Sequence, residues 1–196
     1  MNYINDINNY IPKDEQETQD KKVILGCIEM FPHNILLRDN EIAHITSSGF
    51  VLNKALNKAL MIHHNIRNTW AWTGGHADGD TDLLAVATRE VFEETGINAE
   101  PISTDIASID ILTVHRHFKK NKYVNGHLHL SIAYLFIADD EKQLVIKPDE
   151  NSAVEWFPVD KINTDLFTDR DVYLYKKLIT RAKIKDFHAE TTHEHP

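Results

Sequence analysis

Apolar positions recur with two different periods along the chain, and the change of period separates predicted helices from predicted strands. Apolar residues between Asp14 and Phe31 follow helical spacing, and Pro32 ends that run. Segments typical of β-strands begin near residue 43. The predicted helices cover 14–31, 82–95 and 171–183, and the predicted strands cover 45–52, 58–63, 70–72, 106–118, 127–138 and 154–159. This order favours a mixed α/β domain over a helical bundle or a β-sandwich.

The change of pattern near residue 42 also predicts how the chain is organised. We divide it into an N-terminal helical extension (1–42), an α/β domain (43–185) and a polar tail (186–196). The two long strands, 106–118 and 127–138, are expected to pair as an antiparallel hairpin across a lysine-rich loop.

Composition excludes several classes of protein. The chain has 196 residues, of which 42% are hydrophobic, and its formal net charge is −9. An acidic chain without a basic tract is not expected to bind nucleic acid. The single cysteine, Cys27, excludes an intrachain disulfide and a cysteine metal cluster. No segment is typical of a secretory signal or a membrane span, so we expect a cytoplasmic protein without a membrane partner.

The acidic charge is concentrated in one segment. Between His76 and His115 there are nine acidic residues and one basic residue, Arg89. On the helix predicted for 82–95, Glu90, Glu93 and Glu94 project within an arc of about 100°. Carboxylates this close repel one another, and a divalent cation such as Mg²⁺ would compensate them through oxygen ligands. The alternative is a solvated acidic helix end in which Arg89 pairs with Glu93.

The residues that flank these carboxylates resemble the box of the Nudix hydrolase family. That box reads Gly, five residues, Glu, seven residues, then Arg-Glu-aliphatic-x-Glu-Glu-x-Gly-aliphatic. Eight of its nine fixed positions match this sequence, at Gly75, Arg89, Glu90, Val91, Glu93, Glu94, Gly96 and Ile97. The position of the first box glutamate holds Thr81, between Asp80 and Asp82. The Gly-Gly-His-Ala-Asp-Gly-Asp loop and the N-terminal helix resemble one branch of the family.

The resemblance implies a Nudix-type α/β/α sandwich with a mixed sheet over residues 43 to about 183, and it implies roles within the box. Glu93 and Glu94 would bind Mg²⁺ (or Mn²⁺), and Glu90 would be a further ligand or the catalytic base. The Gly75 carbonyl would be another ligand, and Arg89 would orient Glu93. Some relatives use a downstream acid as the base, for which the candidates are Glu150, Glu155 and, less favoured, Asp139, Asp140 and Glu141.

The function that this resemblance implies is hydrolysis of a pyrophosphate bond. The substrate would be a nucleoside diphosphate linked to another moiety, such as ADP-ribose or a nucleotide sugar, and the protein could form a homodimer. Two alternatives remain open: a degenerate domain that binds a nucleotide without turnover, which Thr81 favours, and removal of RNA 5′-pyrophosphate. Isoprenoid isomerase chemistry would need a cysteine in the domain, and Cys27 lies outside it.

Histidine and tryptophan side chains add weaker expectations. His115 and His117 share one strand face, and His127 and His129 share another, so the predicted hairpin would bring the four together. They could bind a transition metal, but we favour contact with phosphate or sugar oxygens. His76 could touch the substrate beside the box glycines. A nucleobase could stack on one of the three tryptophans, of which Trp72 is our candidate, although core packing is more common for such residues.

Overall fold

The structure, a computed structural model, describes residues 3–119 and 121–191 and contains a mixed sheet with helices on both faces. The helices are α1 (Tyr3–Asn9), α2 (Glu15–Met30), α3 (Leu83–Thr95) and α4 (Asp169–Thr191), with a 3-10 turn at Val159–Lys161. The strands are β1 (Ala43–Asn53), β2 (Lys58–His64), β3 (Thr69–Ala71), β4 (Thr73–His76), β5 (Glu100–Pro101), β6 (Ser108–Val114), β7 (His117–Lys119), β8 (Lys122–Val124), β9 (His127–Ala138) and β10 (Asn151–Pro158).

The main sheet has eight strands, with the order β10-β2-β1-β9-β5. Strand β3 pairs with β2, β4 with β1 and β6 with β9. The central pair, β1 and β9, is parallel along the whole of β1, whereas the other pairs are antiparallel. The predicted mixed α/β class is therefore confirmed.

Strand β1 is buried along its entire length because both faces of the sheet are covered. Ile45 and Val51 pack in one core cluster with Ile24 of α2 and Val91 of α3. Phe50 lies in a second cluster with residues of α4. Successive side chains of a strand point to opposite faces, so β1 contributes to both layers. The result is the three-layer arrangement that the resemblance implies.

Several predicted ends of strands and helices were wrong. The predicted strand 106–118 is interrupted after β6, and its last residues pair with β8 as a separate two-stranded ribbon inside the predicted lysine-rich loop. The helix predicted from residue 82 begins at Leu83 instead, because Asp82 is its N-cap: the Asp82 side chain accepts the Ala85 N–H at 3.0 Å. Helix α4 continues to Thr191, and residues 192–196 of the predicted tail lie outside the described residues.

The N-terminal helices pack against the α/β domain through a buried ion network. Glu17 of α2 is fully buried, and its Oε1 accepts hydrogen bonds from Arg181 at 2.6 Å and from Lys177 at 3.1 Å. Lys177 also donates to Asp110 of β6 at 2.6 Å. Two acids and two bases from α2, β6 and α4 thus neutralise one another in the interior. Among the residues that the structure describes, no helix is long and apolar enough to cross a membrane.

Hydrogen bonds also set the charge state of Glu17. Burial alone would raise the pKa of this carboxyl, but hydrogen bonds from Arg181, the Lys13 N–H and Tyr10 outweigh burial and lower it to about 2. Glu17 is therefore ionised across the neutral and mildly acidic range.

Candidate active site

Helix α3 presents the three box carboxylates beside strand β4. The helix ends at Gly96, whose φ of 73° is the left-handed conformation that glycine adopts without steric cost. Glu94 is only 3% exposed, and its carboxylate accepts the Gly74 N–H at 2.9 Å. The predicted helix thus brings its last glutamate against the predicted glycine pair.

The two glycines allow β4 to lie close to both of its neighbours. Gly75 lies opposite Ser47 of β1, and Gly74 lies opposite Ser48. A Cβ on Gly75 would overlap the Glu90 carboxylate, and a Cβ on Gly74 would lie 2.9 Å from the Ser48 Cα. The structure therefore brings together Gly75 and Glu90, which the resemblance assigned to one metal site.

The pKa values of two of these carboxyls are raised. Burial raises the pKa of Glu94 to about 8; the Gly74 hydrogen bond opposes this shift, and the charges of Glu90 and Glu150 add to it. Burial also raises the pKa of Glu90, and the charges of Glu93 and Glu150 add to this shift. Both shifts mean that the ionised forms of these two carboxyls are disfavoured here, by burial first and also by the neighbouring carboxylates.

Lys147 supplies positive charge to this cluster and was not predicted. Its Nζ lies 2.9 Å from Glu93 Oε2 and 3.1 Å from Glu150 Oε2. The fully buried Asn151 fastens this loop to α3, because its Nδ2 donates to the Glu94 carbonyl at 2.9 Å. A lysine in a loop beyond β9 carries no sequence signal that would connect it with a helix more than fifty residues earlier.

Arg89 and the residues around Thr81 form the other side of the cluster. Arg89 lies 4.0 Å from Glu93 and 3.5 Å from Asp80. Thr81 itself is exposed, and Asp82 is the helix cap. Asp80 is therefore the neighbouring acid that faces the arginine.

The acidic residues considered as the catalytic base lie at different places in the structure. The structure brings Glu150 to the cluster, where its charge acts on Glu90 and Glu94. Glu155 is exposed on β10 opposite Met61. Among the less favoured acids, Asp140 pairs with Lys58 at 2.7 Å, and Asp139 accepts the Glu141 N–H at 3.0 Å.

The predicted histidine grouping changes its membership. Of the four histidines predicted to come together, His127 and His129 do so, and they gather with His44 of β1 and with His76, which was predicted separately. His115 is exposed after β6, and His117 lies on the separate ribbon, so within the described residues neither joins this group. His44 was missed because only the pairing of β1 with β9 places it opposite His129.

The predicted stacking role of Trp72 is not supported by its position. Its side chain is 8% exposed and packs against Phe50 and Tyr175, with ring centroids 6.4 and 5.7 Å away. Protein side chains therefore cover this ring, which is the core packing that the sequence left as the alternative.

Comparison with known proteins agrees with the fold. Residues 43–178 match the family model described as the NUDIX domain. A segment of 55 residues is 36% identical to the human protein "Nucleoside diphosphate-linked moiety X motif 6" and 40% identical to its Xenopus laevis counterpart. These alignments cover 27% of this chain but only 17% and 25% of those relatives.

A solved structure shows the same fold over a larger part of the chain. The crystal structure of a NUDIX-family hydrolase from Clostridium perfringens superposes with a TM-score of 0.50 at 16% sequence identity, covering 70% of this chain and 96% of that one. The fold and the site define a Nudix-type α/β/α protein. The family match over most of the chain then identifies it: this chain belongs to the Nudix hydrolase family.

Proposed function

We propose that the protein is a Mg²⁺-dependent hydrolase that cleaves the pyrophosphate bond of a nucleoside diphosphate linked to another moiety, such as ADP-ribose or a nucleotide sugar. The observation that carries this proposal is the contact of α3 with β4. Glu94 is held by the Gly74 N–H, and Glu90 lies against Gly75, so that glutamates and glycines of the box form one site.

The residues present fit a hard divalent cation. Three carboxylates offer oxygen ligands, and the raised pKa values of Glu90 and Glu94 indicate that additional positive charge would be favourable there. Glu90, Glu93, Glu94 and the Gly75 carbonyl would hold Mg²⁺ (or Mn²⁺). When bound, such an ion neutralises a pyrophosphate and lowers the pKa of a coordinated water.

The remaining residues orient this site. Arg89, between Asp80 and Glu93, restricts the Glu93 side chain through its planar donor fork. Lys147 forms ion pairs with both Glu93 and Glu150. A bound cation would neutralise Glu93 in place of Lys147, and the lysine could then pair with an anionic group of the substrate. Glu150 would then accept a proton from the attacking water, with Glu90 as the alternative base.

Turnover of defined substrates tests this function. The full chain would be incubated with Mg²⁺ or Mn²⁺ and with ADP-ribose, nucleotide sugars, dinucleoside polyphosphates, (d)NTPs or 5′-triphosphorylated RNA. We expect nucleoside monophosphate from ADP-ribose or a nucleotide sugar, and the Glu93→Gln/Glu94→Gln double variant is the matched control. Product from RNA alone would favour the RNA alternative.

Binding without turnover is a second candidate, favoured by Thr81 at the first box position. It would be indicated if no substrate of the panel released product while one of them still bound in a calorimetric titration. The substitution Thr81→Glu would then be the direct way to ask whether that position limits catalysis.

Adding one methyl group should impair turnover at one of the two glycines and stability at the other. Gly75→Ala should lower the turnover rate but change the melting temperature little. Its Cβ would meet the Glu90 carboxylate, and this flexible side chain can move aside at the expense of the site's geometry. Gly74→Ala should lower stability by about 1–3 kcal/mol, because its Cβ meets the backbone of Ser48. Melting curves and turnover rates of both variants check this; equal effects of the two on both measurements would contradict it.

A further inference from the structure

Four histidine rings at one end of the sheet have no part in the proposed hydrolysis. His44 lies on β1, His76 on β4, and His127 and His129 on β9. Neighbouring ring centroids in this histidine cluster lie 4.8 to 5.1 Å apart. Strand pairing explains the cluster, since His44 lies directly opposite His129 in the parallel pair and His127 shares the face of His129.

The histidine cluster lies on the other face of β4 from the carboxylates. A Cβ on Gly75 would meet Glu90, so this residue faces α3. Adjacent residues of a strand face opposite ways, and His76 therefore points away from α3. The cluster is a separate group of ligand atoms rather than part of the box site.

Hydrogen bonds orient two of the rings in the same way. The Nδ1 of His44 lies 2.9 Å from the Asn40 carbonyl, and the Nδ1 of His127 lies 2.8 Å from the Asn125 carbonyl. A carbonyl oxygen only accepts, so both Nδ1 atoms carry a proton, and in the neutral form of each ring the Nε2 atom presents a lone pair. A backbone carbonyl on the outer nitrogen is the usual partner of a metal-binding histidine.

The Nε2 lone pair of His44 accepts no hydrogen bond from the described residues. The residue is 3% exposed, and among the described residues its Nε2 is buried with no hydrogen-bond partner. A buried polar atom without a hydrogen-bond partner lowers the stability of the fold, so such atoms are rare unless a ligand or ion completes them. This buried nitrogen points to a missing ligand.

The distances among the ring nitrogens suit one ion. The candidate ligand atoms of His44, His127 and His129 all lie within 4.8 Å of one another. The Nε2 atoms of His127 and His129 are 3.2 Å apart. Two nitrogens bound to tetrahedral zinc at about 2.0–2.1 Å would be about 3.3 Å apart, which matches this pair.

We propose that His44, His127 and His129 bind a divalent transition-metal ion of the class that prefers imidazole ligands, of which Zn²⁺ is the first example. The ring of His76, beside His44 and His129, or a water molecule completes the coordination. Without metal, His129 donates its Nε2 proton to His127 Nε2. Metal binding moves this proton to His129 Nδ1, so all three rings present a lone pair and no net charge changes.

Zinc binding by the full chain in excess Mg²⁺ tests the site, because excess Mg²⁺ would compete with zinc for the carboxylates. We expect equilibrium dialysis to retain one Zn²⁺ per chain and bound Co²⁺ to show visible ligand-field absorption. His127→Asn should weaken zinc binding at least about tenfold, since even the loss of outer-shell partners costs 10- to 100-fold. His44→Asn should do the same, and if this buried variant does not fold, the partly exposed His127 position carries the test.

Two control variants separate this site from other sources of zinc binding. Glu93→Gln/Glu94→Gln should keep the zinc, and so should His193→Ala/His195→Ala, which removes histidines of the C-terminal segment. The proposal is overturned if no zinc is retained, if His127→Asn binds it as well as the unaltered protein, or if either control loses it. A raised KM for His127→Asn with unchanged zinc binding would instead assign the rings to substrate contact. Zinc retention does not depend on turnover, so its outcome is independent of the proposed hydrolysis.

Discussion

Glu94→Gln is expected to lower the rate of pyrophosphate hydrolysis by about 100- to 1,000-fold, which corresponds to about 3–4 kcal/mol of lost transition-state stabilisation. In the proposed site this carboxylate would be an anionic ligand, and glutamine removes its charge while keeping an oxygen that accepts the Gly74 N–H. Glu93→Gln should have a similar effect. Rates at saturating Mg²⁺ with ADP-ribose or whichever panel substrate is turned over measure the loss.

The same variant should fold as well as the unaltered protein. Because burial raises the pKa of Glu94 to about 8, the metal-free carboxyl carries a proton at neutral pH, and the neutral amide replaces it without a charge change. The matched control is Glu100→Gln, an exposed acid on β5, which should leave the rate unchanged. Full activity in Glu94→Gln would refute the metal assignment, and equal losses in Glu100→Gln would indicate a non-specific charge effect.

Glu17→Ala should destabilise the fold by about 3–5 kcal/mol, the range for removing one partner of a buried ion network. The substitution leaves Arg181 and Lys177 with one buried acid, Asp110, instead of two. Urea unfolding at neutral pH measures the change. Glu15→Ala, at an exposed position of the same helix, is the control and should shift stability by less than about 0.5 kcal/mol.

The pH dependence of this loss has a defined sign. The pKa of Glu17 falls from its ordinary value of 4.5 to about 2 in the folded chain, so its ionisation stabilises the fold above pH 4.5. That contribution disappears as the pH falls from 4.5 towards 2, and the difference between Glu17→Ala and the unaltered protein should narrow over this interval. A difference that stays constant down to pH 2 would assign the effect to packing alone.

The carboxylate helix was predictable because its determinants are local. Spacing placed Glu90, Glu93 and Glu94 on one helix, and that helix ends at Thr95, as predicted. The antiparallel pairing of β6 with β9 was also predicted from short-range patterns. The short helix α1 and the ribbon of β7 and β8 were missed, since each is a few residues long and has little periodicity of its own.

What the sequence by itself determined is the class of fold, the family box and the three acids on one helix, because helical periodicity and motif spacing depend on neighbours along the chain. What only the tertiary structure decided is which distant residues meet: Lys147 with Glu93, Glu17 with Lys177, and His44 with His129. These contacts depend on strand order, register and helix docking. Such choices are made by burial over the whole chain, and no local pattern encodes them.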